Sequence, residues 1–458
     1  MMEKIWFDIG LVKIWSGPLG GVMRCEAQIA AALLEEHPEK VIFTYWDEAN
    51  QLVEWGTPQL RNQLERMGIL IPPPPPPPPP PLNPTEQLQA VFHFSVKVIW
   101  RIIKRIIKFW VGQGVLNLVS VGLGSIKREP PPLDSNIEEL IENVQALTIG
   151  SNDVYVSVGA GWVIDRYSSL YHLKQERKFI SILLCHDLIP VRFPTLTLDW
   201  IARIFPSYLC NLAWCADVVL CNSQITKRDL IAFIEDAGAP LPQLQVVQYG
   251  TQIQKQSQSQ QLAEGLLTER IQAILEKPFI LYVSTIEVRK NHEVLCRAYL
   301  ELLSLGRTNL PLLVFVGSWG WCVDGLRDNV EHHPLLSKSI VVLEGLDDGQ
   351  LSALYQGCLF TVYPSFYEGW GLPVAESLAF GKFCLASDAP SLKEVGGNLI
   401  EYLNGRDAYL WAQKIAWYFD HVELLLQKER EIARLFKPIS WSQTAQQILD
   451  IGYASIKL

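Results

Sequence analysis

At 458 residues the chain is too long for one compact core and suits two to three domains of roughly 150 residues each. With 49% apolar and 19% charged residues it can bury a large core, and a formal net charge of -9 excludes a global basic field for nucleic acid. Nine scattered cysteines, none in a Cys-x-x-Cys pair, point to reduced buried thiols and a cytoplasmic setting rather than to a metal site. The opening Met1–Gly10 stretch lacks a basic region ahead of a long apolar one, so no secretory signal is expected. No uncharged apolar run reaches the ~20 residues of a membrane span.

Short apolar runs alternate with helical spacings along the chain. Ile5 to Ile9 reads as a strand. Gly17 to Gly21 is a turn, and Val22 to Leu34 carries apolar residues at helical intervals. Further strand candidates are Val41–Tyr45, Val154–Val158, Phe179–Cys185 and Val218–Cys221, with Val246–Thr251 closing the first half. The second half offers Ile280–Val283, Leu312–Val316, Ile340–Leu343, Leu359–Val362 and Phe383–Ala386. This alternation predicts an α/β protein with parallel sheets covered by helices on both faces.

Two segments interrupt the rhythm. Pro72–Pro81 is an unbroken proline run, read as an extended polyproline spacer. Gln252–Gln261 is rich in Gln, Lys and Ser, and reads as a solvated linker at the domain junction. After the prolines, Lys97, Arg101, Lys104, Arg105 and Lys108 share one face of a helical projection, with isoleucines, Phe109 and Trp110 opposite. A helix over 96–110 with that pattern suits an anionic membrane surface. The same stripe also suits an ordinary surface helix packed on its own domain.

The densest chemistry lies in Tyr363-Pro-Ser-Phe-Tyr-Glu-Gly-Trp-Gly-Leu-Pro-Val-Ala-Glu, which follows a strand. Gly369 and Gly371 permit close backbone approach, Pro373 suits a helix start, and Gly381 suits its end. The N–H groups of such a helix start favour phosphate or sugar oxygens. Glu368 and Glu376, eight positions apart, can accept hydrogen bonds from sugar and ribose hydroxyls in one crevice at the carboxyl edge of the sheet. Arg289 and Lys290 precede another helix, where cations oppose the dipole unless an anion sits between them.

Two glutamates at this spacing, with Gly-Trp-Gly-Leu-Pro between them, resemble the signature of retaining group 1 glycosyltransferases, including the bacterial mannosyltransferase-like members. That resemblance implies a GT-B fold, two Rossmann-like domains with parallel sheets facing across a cleft. It divides the chain into an acceptor-side domain over 1–251, a linker over 252–268, a nucleotide-sugar-binding domain over 269–435 and a tail helix over 436–458 returning to the first domain. The likeness weakens over about 65–150, where the proline run and the basic helix form an insertion.

By the same resemblance Glu368 faces the transferred hexose and Glu376 the ribose. Lys290 contacts the donor diphosphate, with the backbone of Gly369, Trp370, Gly371 and Leu372. Ser284 and Thr285 stand where many relatives have an arginine, so either Arg289 substitutes or one phosphate contact is missing. Gly20-Gly21 would border the donor phosphates. Leu184-Cys-His-Asp-Leu-Ile-Pro resembles a mannosyltransferase stretch whose histidine approaches the sugar, which makes His186, and less so Asp187, a catalytic candidate. The chain has no Asp-x-Asp motif, in keeping with a metal-independent route and no cofactor beyond the donor itself. The implied activity moves a hexose, mannose by the nearest likeness, from a nucleoside diphosphate sugar to a saccharide acceptor, expected to be lipid-linked, in polysaccharide assembly at the inner membrane face. An epimerase or phosphorylase on the same architecture, and a catalytically inactive membrane scaffold, are the competing readings.

Overall fold

The computed structural model describes residues 4–15, 21–69, 149–163, 166–251 and 267–456. The proline run, the 96–110 helix and Gly20 lie outside the described residues, as do positions 252–266 of the linker.

Two sheets organise the described residues. The first contains β1 (Ile5–Asp8), β2 (Val41–Trp46), β3 (Leu52–Glu54), β4 (Val154–Ser157), β5 (Ile180–Cys185), β6 (Val218–Cys221) and β7 (Gln243–Val246). Its order is β3-β2-β1-β4-β5-β6-β7, parallel except for the antiparallel β2–β3 pair. The second contains β8 (Phe279–Val283), β9 (Leu312–Val316), β10 (Ile340–Leu343), β11 (Phe360–Tyr363), β12 (Cys384–Ser387) and β13 (Glu401–Leu403). Its order is β10-β9-β8-β11-β12-β13, parallel throughout. In each, strand order reverses beside the first strand, between β1 and β4 and between β8 and β11. Such reversals open crevices at the carboxyl strand ends.

The sequence explains why these sheets are parallel and interior. Their central strands, such as β1, β5, β6, β8 and β9, are largely unbroken apolar runs buried on both faces, while the edge strands β3, β7 and β13 are partly exposed. Alternate residues feed opposite cores. Ile5, Phe7, Val154, Val156, Ile182 and Leu184 pack on one side of the first sheet, while Trp6, Tyr155, Leu183 and Cys185 pack on the other. In the second sheet, Ile280, Tyr282, Leu313 and Phe315 face one core, and Phe279, Leu281, Val314 and Val316 the other.

The last strand of the first half is Gln243–Val246, earlier than the expected Val246–Thr251. Residues 247–251 instead run beside the returning chain: the Thr251 N–H donates to the Ile439 carbonyl at 2.9 Å, and the Thr444 hydroxyl donates to the Gln248 carbonyl at 2.7 Å. This hydrogen bonding satisfies backbone groups that a further strand pair would have used. The tail helix, Trp441–Ile456, then packs on the first domain, where Trp441, Ala445, Ile448 and Leu449 join the core of Ile5 and Val154.

This packing makes the tail a structural part of the first domain. Ile448→Ala removes buried methyl groups and should destabilise that domain by about 2–4 kcal/mol. Hydrogen exchange should then speed up at β1 and β4 amides and stay unchanged at β8 and β11; equal effects in both sheets would contradict the assignment.

Candidate functional site

The crevice of the second sheet is built from two loops. After β8 the chain makes a single 3-10 turn, Val288–Lys290, and Asn291 adopts a left-handed conformation with φ of 56° before the helix His292–Ser304. The Asn291 side chain fixes this turn by donating to the Pro364 carbonyl at 3.1 Å and the Gly405 carbonyl at 2.6 Å. After β11 comes the Glu-Gly-Trp-Gly loop, then the helix Leu372–Ala379 with Pro373 in its first turn. Gly371 caps that helix at φ 116°, and a Cβ there would meet Leu392 at 2.5 Å, so the position requires glycine.

The two loops converge on the Glu368 carboxylate. One of its oxygens receives the Lys290 ammonium at 2.6 Å, the Arg289 guanidinium at 2.8 Å, and the hydroxyls of Ser365 at 2.5 Å and Tyr363 at 3.2 Å. Burial alone would raise the Glu368 carboxyl, but the two cations and the Ser365 hydroxyl override it and hold its pKa at about 2. Glu368 is therefore a permanent anion, a hydrogen-bond acceptor and not an acid. Burial, together with Arg289 alongside, lowers the Lys290 ammonium below the usual lysine range.

Besides Glu368, Arg289 donates to Glu287 at 2.5 Å and to the Tyr367 carbonyl at 2.9 Å, within the protein interior. Ser284 turns toward His292, with oxygen and ring nitrogen 3.3 Å apart. Lys290 donates to Tyr363 at 2.8 Å as well as to Glu368, so both cations of the pair meet at the same carboxylate.

Glu376 occupies a separate part of the crevice. It accepts the Tyr355 hydroxyl at 2.9 Å, and burial raises its carboxyl while the Arg24 charge lowers it. Arg24 comes from the first domain, on the helix Gly21–Glu36. It forms a two-pronged ion pair with Asp348 at 2.7 and 3.0 Å. The two glutamates thus share the carboxyl edge of the sheet but not their partners. Trp370 packs against hydrophobic residues of both domains, and its indole N–H has no hydrogen-bond partner among the described residues. Gly21 is exposed with open space around it, so tight packing does not demand a glycine there.

His186 faces this loop from the first domain. A Cβ on Gly369 would lie 2.2 Å from the His186 carbonyl oxygen, so the glycine lets the two domains touch there. The His186 carbonyl also accepts from Asn222 at 2.8 Å. Its Nε2 lies 2.8 Å from the Val158 carbonyl and its Nδ1 lies 2.9 Å from the Tyr249 hydroxyl. A carbonyl only accepts, so the proton sits on Nε2 and Nδ1 accepts from Tyr249. Burial lowers the His186 pKa to about 4. Asp187, half-buried, adds to the field around Arg289.

Arg24, Tyr249, Tyr355 and Ser365 complete the site without having been singled out from the sequence. Tyr363-Pro-Ser365 does precede the glutamate loop directly, so Ser365 carried a positional signal. Arg24 and Tyr249 act across long sequence separations and carried none.

The fold and this site define a GT-B protein: two parallel-sheet α/β domains with a glutamate–lysine cluster at the carboxyl edge of the second. The family model described as glycosyl transferases group 1 matches residues 267–431. The serotype-specific mannosyltransferase WbdA of Escherichia coli is 29% identical over 272 residues, 58% of this chain and 32% of that protein. The O-antigen chain mannosyltransferase B of the same species is 38% identical over 120 residues, 26% of this chain and 31% of that protein. The chain therefore spans about a third of the length of these curated relatives. Among solved structures, Anabaena Alr3699/HepE in complex with UDP and glucose superposes with a TM-score of 0.59 at 14% identity, covering 98% of this chain and 99% of that one. A glycosyltransferase from Rickettsia africae gives 0.54 at 15% identity, over 99% and 98%.

Two consequences are measurable. His186 has a depressed folded-state pKa, so the stability tied to its neutral form is complete above pH 6.5 and is lost as pH falls toward about 4. Urea titrations should show the wild type losing up to about 3 kcal/mol across that window relative to His186→Gln. A constant difference would mean the ring is not held neutral. Arg24→Met should leave the Asp348 and Glu376 carboxylates without their cation and cost about 1–3 kcal/mol, a loss that Asp348→Asn in the same chain partly reverses.

Proposed function

We propose that the chain is a retaining, metal-independent glycosyltransferase that moves a hexose from a nucleoside diphosphate sugar to a saccharide acceptor. The reading is carried by one observation: a buried lysine and an ionised glutamate converge beside the amino terminus of a helix at the carboxyl edge of the second sheet. The family match of this half, and the mannosyltransferases among its relatives, support it. The names of these relatives favour mannose as the sugar and glycan-chain assembly as the setting. The UDP bound in the Anabaena structure supports a nucleotide donor in this fold.

The chemistry follows from charge. As the bond from the anomeric carbon to the diphosphate oxygen breaks, negative charge collects on the departing phosphate. Lys290 is positioned to receive that charge, together with the positive dipole end of the helix Leu372–Ala379. The acceptor hydroxyl attacks the anomeric carbon from the same face, and its proton passes to the leaving phosphate oxygen. No enzyme nucleophile is needed. When the diphosphate draws Lys290 away, Glu368 retains Arg289 and frees acceptor capacity for hexose hydroxyls. Glu376 and Tyr355 offer the ribose hydroxyls a partner. Closure across the cleft brings His186 and the Gly369 loop together, shielding the reacting carbon from water.

No helix among the described residues is long and apolar enough to cross a membrane. Association with an anionic membrane surface through residues 96–110, and a lipid-linked acceptor, remain proposals carried by the sequence pattern of that segment alone.

Thermal stabilisation by GDP, UDP and their hexose conjugates tests the donor site, since a ligand bound only by the folded chain raises its melting temperature. At least one nucleotide sugar should give a clear shift, and Glu376→Ala should remove it. Lys290→Ala should lower kcat by 10²–10³-fold, the loss typical of removing a charge-stabilising group. No shift with any donor at millimolar concentration would overturn the assignment. Sugar rearrangement in the absence of acceptor would move it to an epimerase.

A further inference from the structure

Three groups hold His186, and one of them depends on the tail. Val158, whose carbonyl bonds Nε2, follows directly on β4, and Asn222, whose amide bonds the His186 carbonyl, follows directly on β6. Tyr249, whose hydroxyl lies 2.9 Å from Nδ1, stands beyond β7 in a stretch outside any strand.

The returning chain supplies what a neighbouring strand would. Thr251 donates to the Ile439 carbonyl and Thr444 to the Gln248 carbonyl, so the residues on both sides of Tyr249 are tied to the tail. The rings of Tyr249 and Trp441 lie with centroids 6.1 Å apart. A Cβ on Gly250 would come within 2.5 Å of the Trp441 indole and 2.7 Å of its backbone nitrogen, so glycine lets the start of the tail helix sit against this stretch.

The hydroxyl is the informative part of Tyr249. The residue is 4% exposed, and a phenylalanine would fill the same space with no polar atom to satisfy. Instead the hydroxyl bonds Nδ1 of His186, the Asn222 side chain and the Cys25 thiol. Because Nε2 must donate to the Val158 carbonyl, Nδ1 is left as an acceptor, and Tyr249 is the group that satisfies it. Without that bond nothing selects one tautomer and one rotation of the ring.

Position matters here because the next contact has no slack. A Cβ on Gly369 would lie 2.2 Å from the His186 carbonyl oxygen and 3.2 Å from the Asn222 amide nitrogen. Gly369 follows Glu368 directly. A displacement of His186 or Asn222 is therefore passed to the loop that carries Glu368.

We propose that Tyr249 is a positioning residue for transfer. Its hydroxyl fixes the tautomer and orientation of the His186 ring, and with it the His186–Asn222 surface on which the Gly369 loop docks, while the tail helix holds Tyr249 in place. Tyr249 touches no substrate and acts through His186. The inference rests on the glycosyl-transfer reading and adds a link from the tail to the reacting groups.

Two readouts on the full chain test it. NMR of the histidine ring nitrogens, with His186 identified by the signals lost in His186→Gln, should show one Nε2-protonated ring in the wild type. Tyr249→Phe keeps its ring on Trp441 and should turn that pattern into a mixture of tautomers. Release of nucleoside diphosphate from GDP-mannose and UDP-glucose, with methyl α-D-mannopyranoside or water as acceptor, reads turnover. For the donor that the wild type uses, Tyr249→Phe should lower kcat about 10- to 100-fold and leave the donor KM within about 2-fold, the signature of lost alignment rather than lost binding. Thr444→Val frees Gln248 from the tail and should move both readouts the same way by a smaller amount; it also serves where Tyr249→Phe fails to fold. A purely structural role would lower Tm and leave kcat of the folded protein unchanged. Wild-type kcat in folded Tyr249→Phe, or an unchanged His186 ring pattern, would overturn the proposal alone. A wild type that turns over neither donor would overturn the transfer reading, and this proposal with it.

Discussion

Everything in the second domain's crevice depends on keeping one carboxylate ionised inside protein. A buried charge is tolerated when it is paired and hydrogen-bonded, and is costly when either condition fails. Glu368 meets both through Lys290, Arg289, Ser365 and Tyr363. That set explains the local backbone. Asn291 takes a left-handed conformation to point Arg289 and Lys290 at the same oxygen, and Ser387 ties β12 to the Ser365 carbonyl at 2.5 Å. The Ser391 hydroxyl, donating to the Glu368 carbonyl at 2.7 Å, anchors the loop from the other side. Removing one cation therefore loosens a network, not a single pair.

The same network divides labour between two neighbouring cations. Arg289 is held by Glu287, Glu368 and the Tyr367 carbonyl, so it acts as the fixed counter-charge of the cluster. Lys290 has a flexible stem, and burial with Arg289 alongside lowers its ammonium below the usual lysine range. In the proposed reaction Glu368 stays satisfied by Arg289 when Lys290 turns to the donor phosphate. An arginine at Ser284 would enter a position where the serine now meets His292, whose ring lies tilted against Tyr282 with centroids 4.3 Å apart.

Much of the fold was legible because its signals are local. Parallel strands buried on both faces read as unbroken apolar runs, and β6, β9 and β10 have the boundaries that their sequence suggests. The three-residue edge strands Leu52–Glu54 and Glu401–Leu403 escaped notice, since three half-exposed residues carry no periodicity. In the site, Lys290, Glu368 and Glu376 stand out because glycine and proline punctuate the loops around them. Arg24 does not, because its partner lies 324 residues away. The same holds for Tyr249 against His186, 63 residues apart. Charge pairing across domains leaves no trace in spacing. Arg289 shows the same limit: the helix dipole argument identifies a cation in need of an anion, but not that Glu287 and Glu368 stand beside it.

Cross-domain contacts then relate structure to turnover. Glu394, on the helix Pro390–Gly396, accepts the N–H groups of Gln224 and Ile225, both at 2.8 Å, and so caps a helix of the opposite domain. The Tyr367 hydroxyl reaches Asp229, and Trp321 donates to the Leu196 carbonyl at 3.5 Å. Together with Arg24–Asp348, these polar contacts bridge domains whose hydrophobic cores are largely separate. Polar bridges break and reform at low net cost because water replaces each partner. A hydrophobic interface of the same extent would hold the domains shut. The domains are thus joined by interactions suited to repeated opening. Arg24 is the charged one among them that also acts on a candidate site residue: its guanidinium holds Asp348 and its charge lowers Glu376, so separating the domains would change the electrostatics around Glu376 as well as the contact itself.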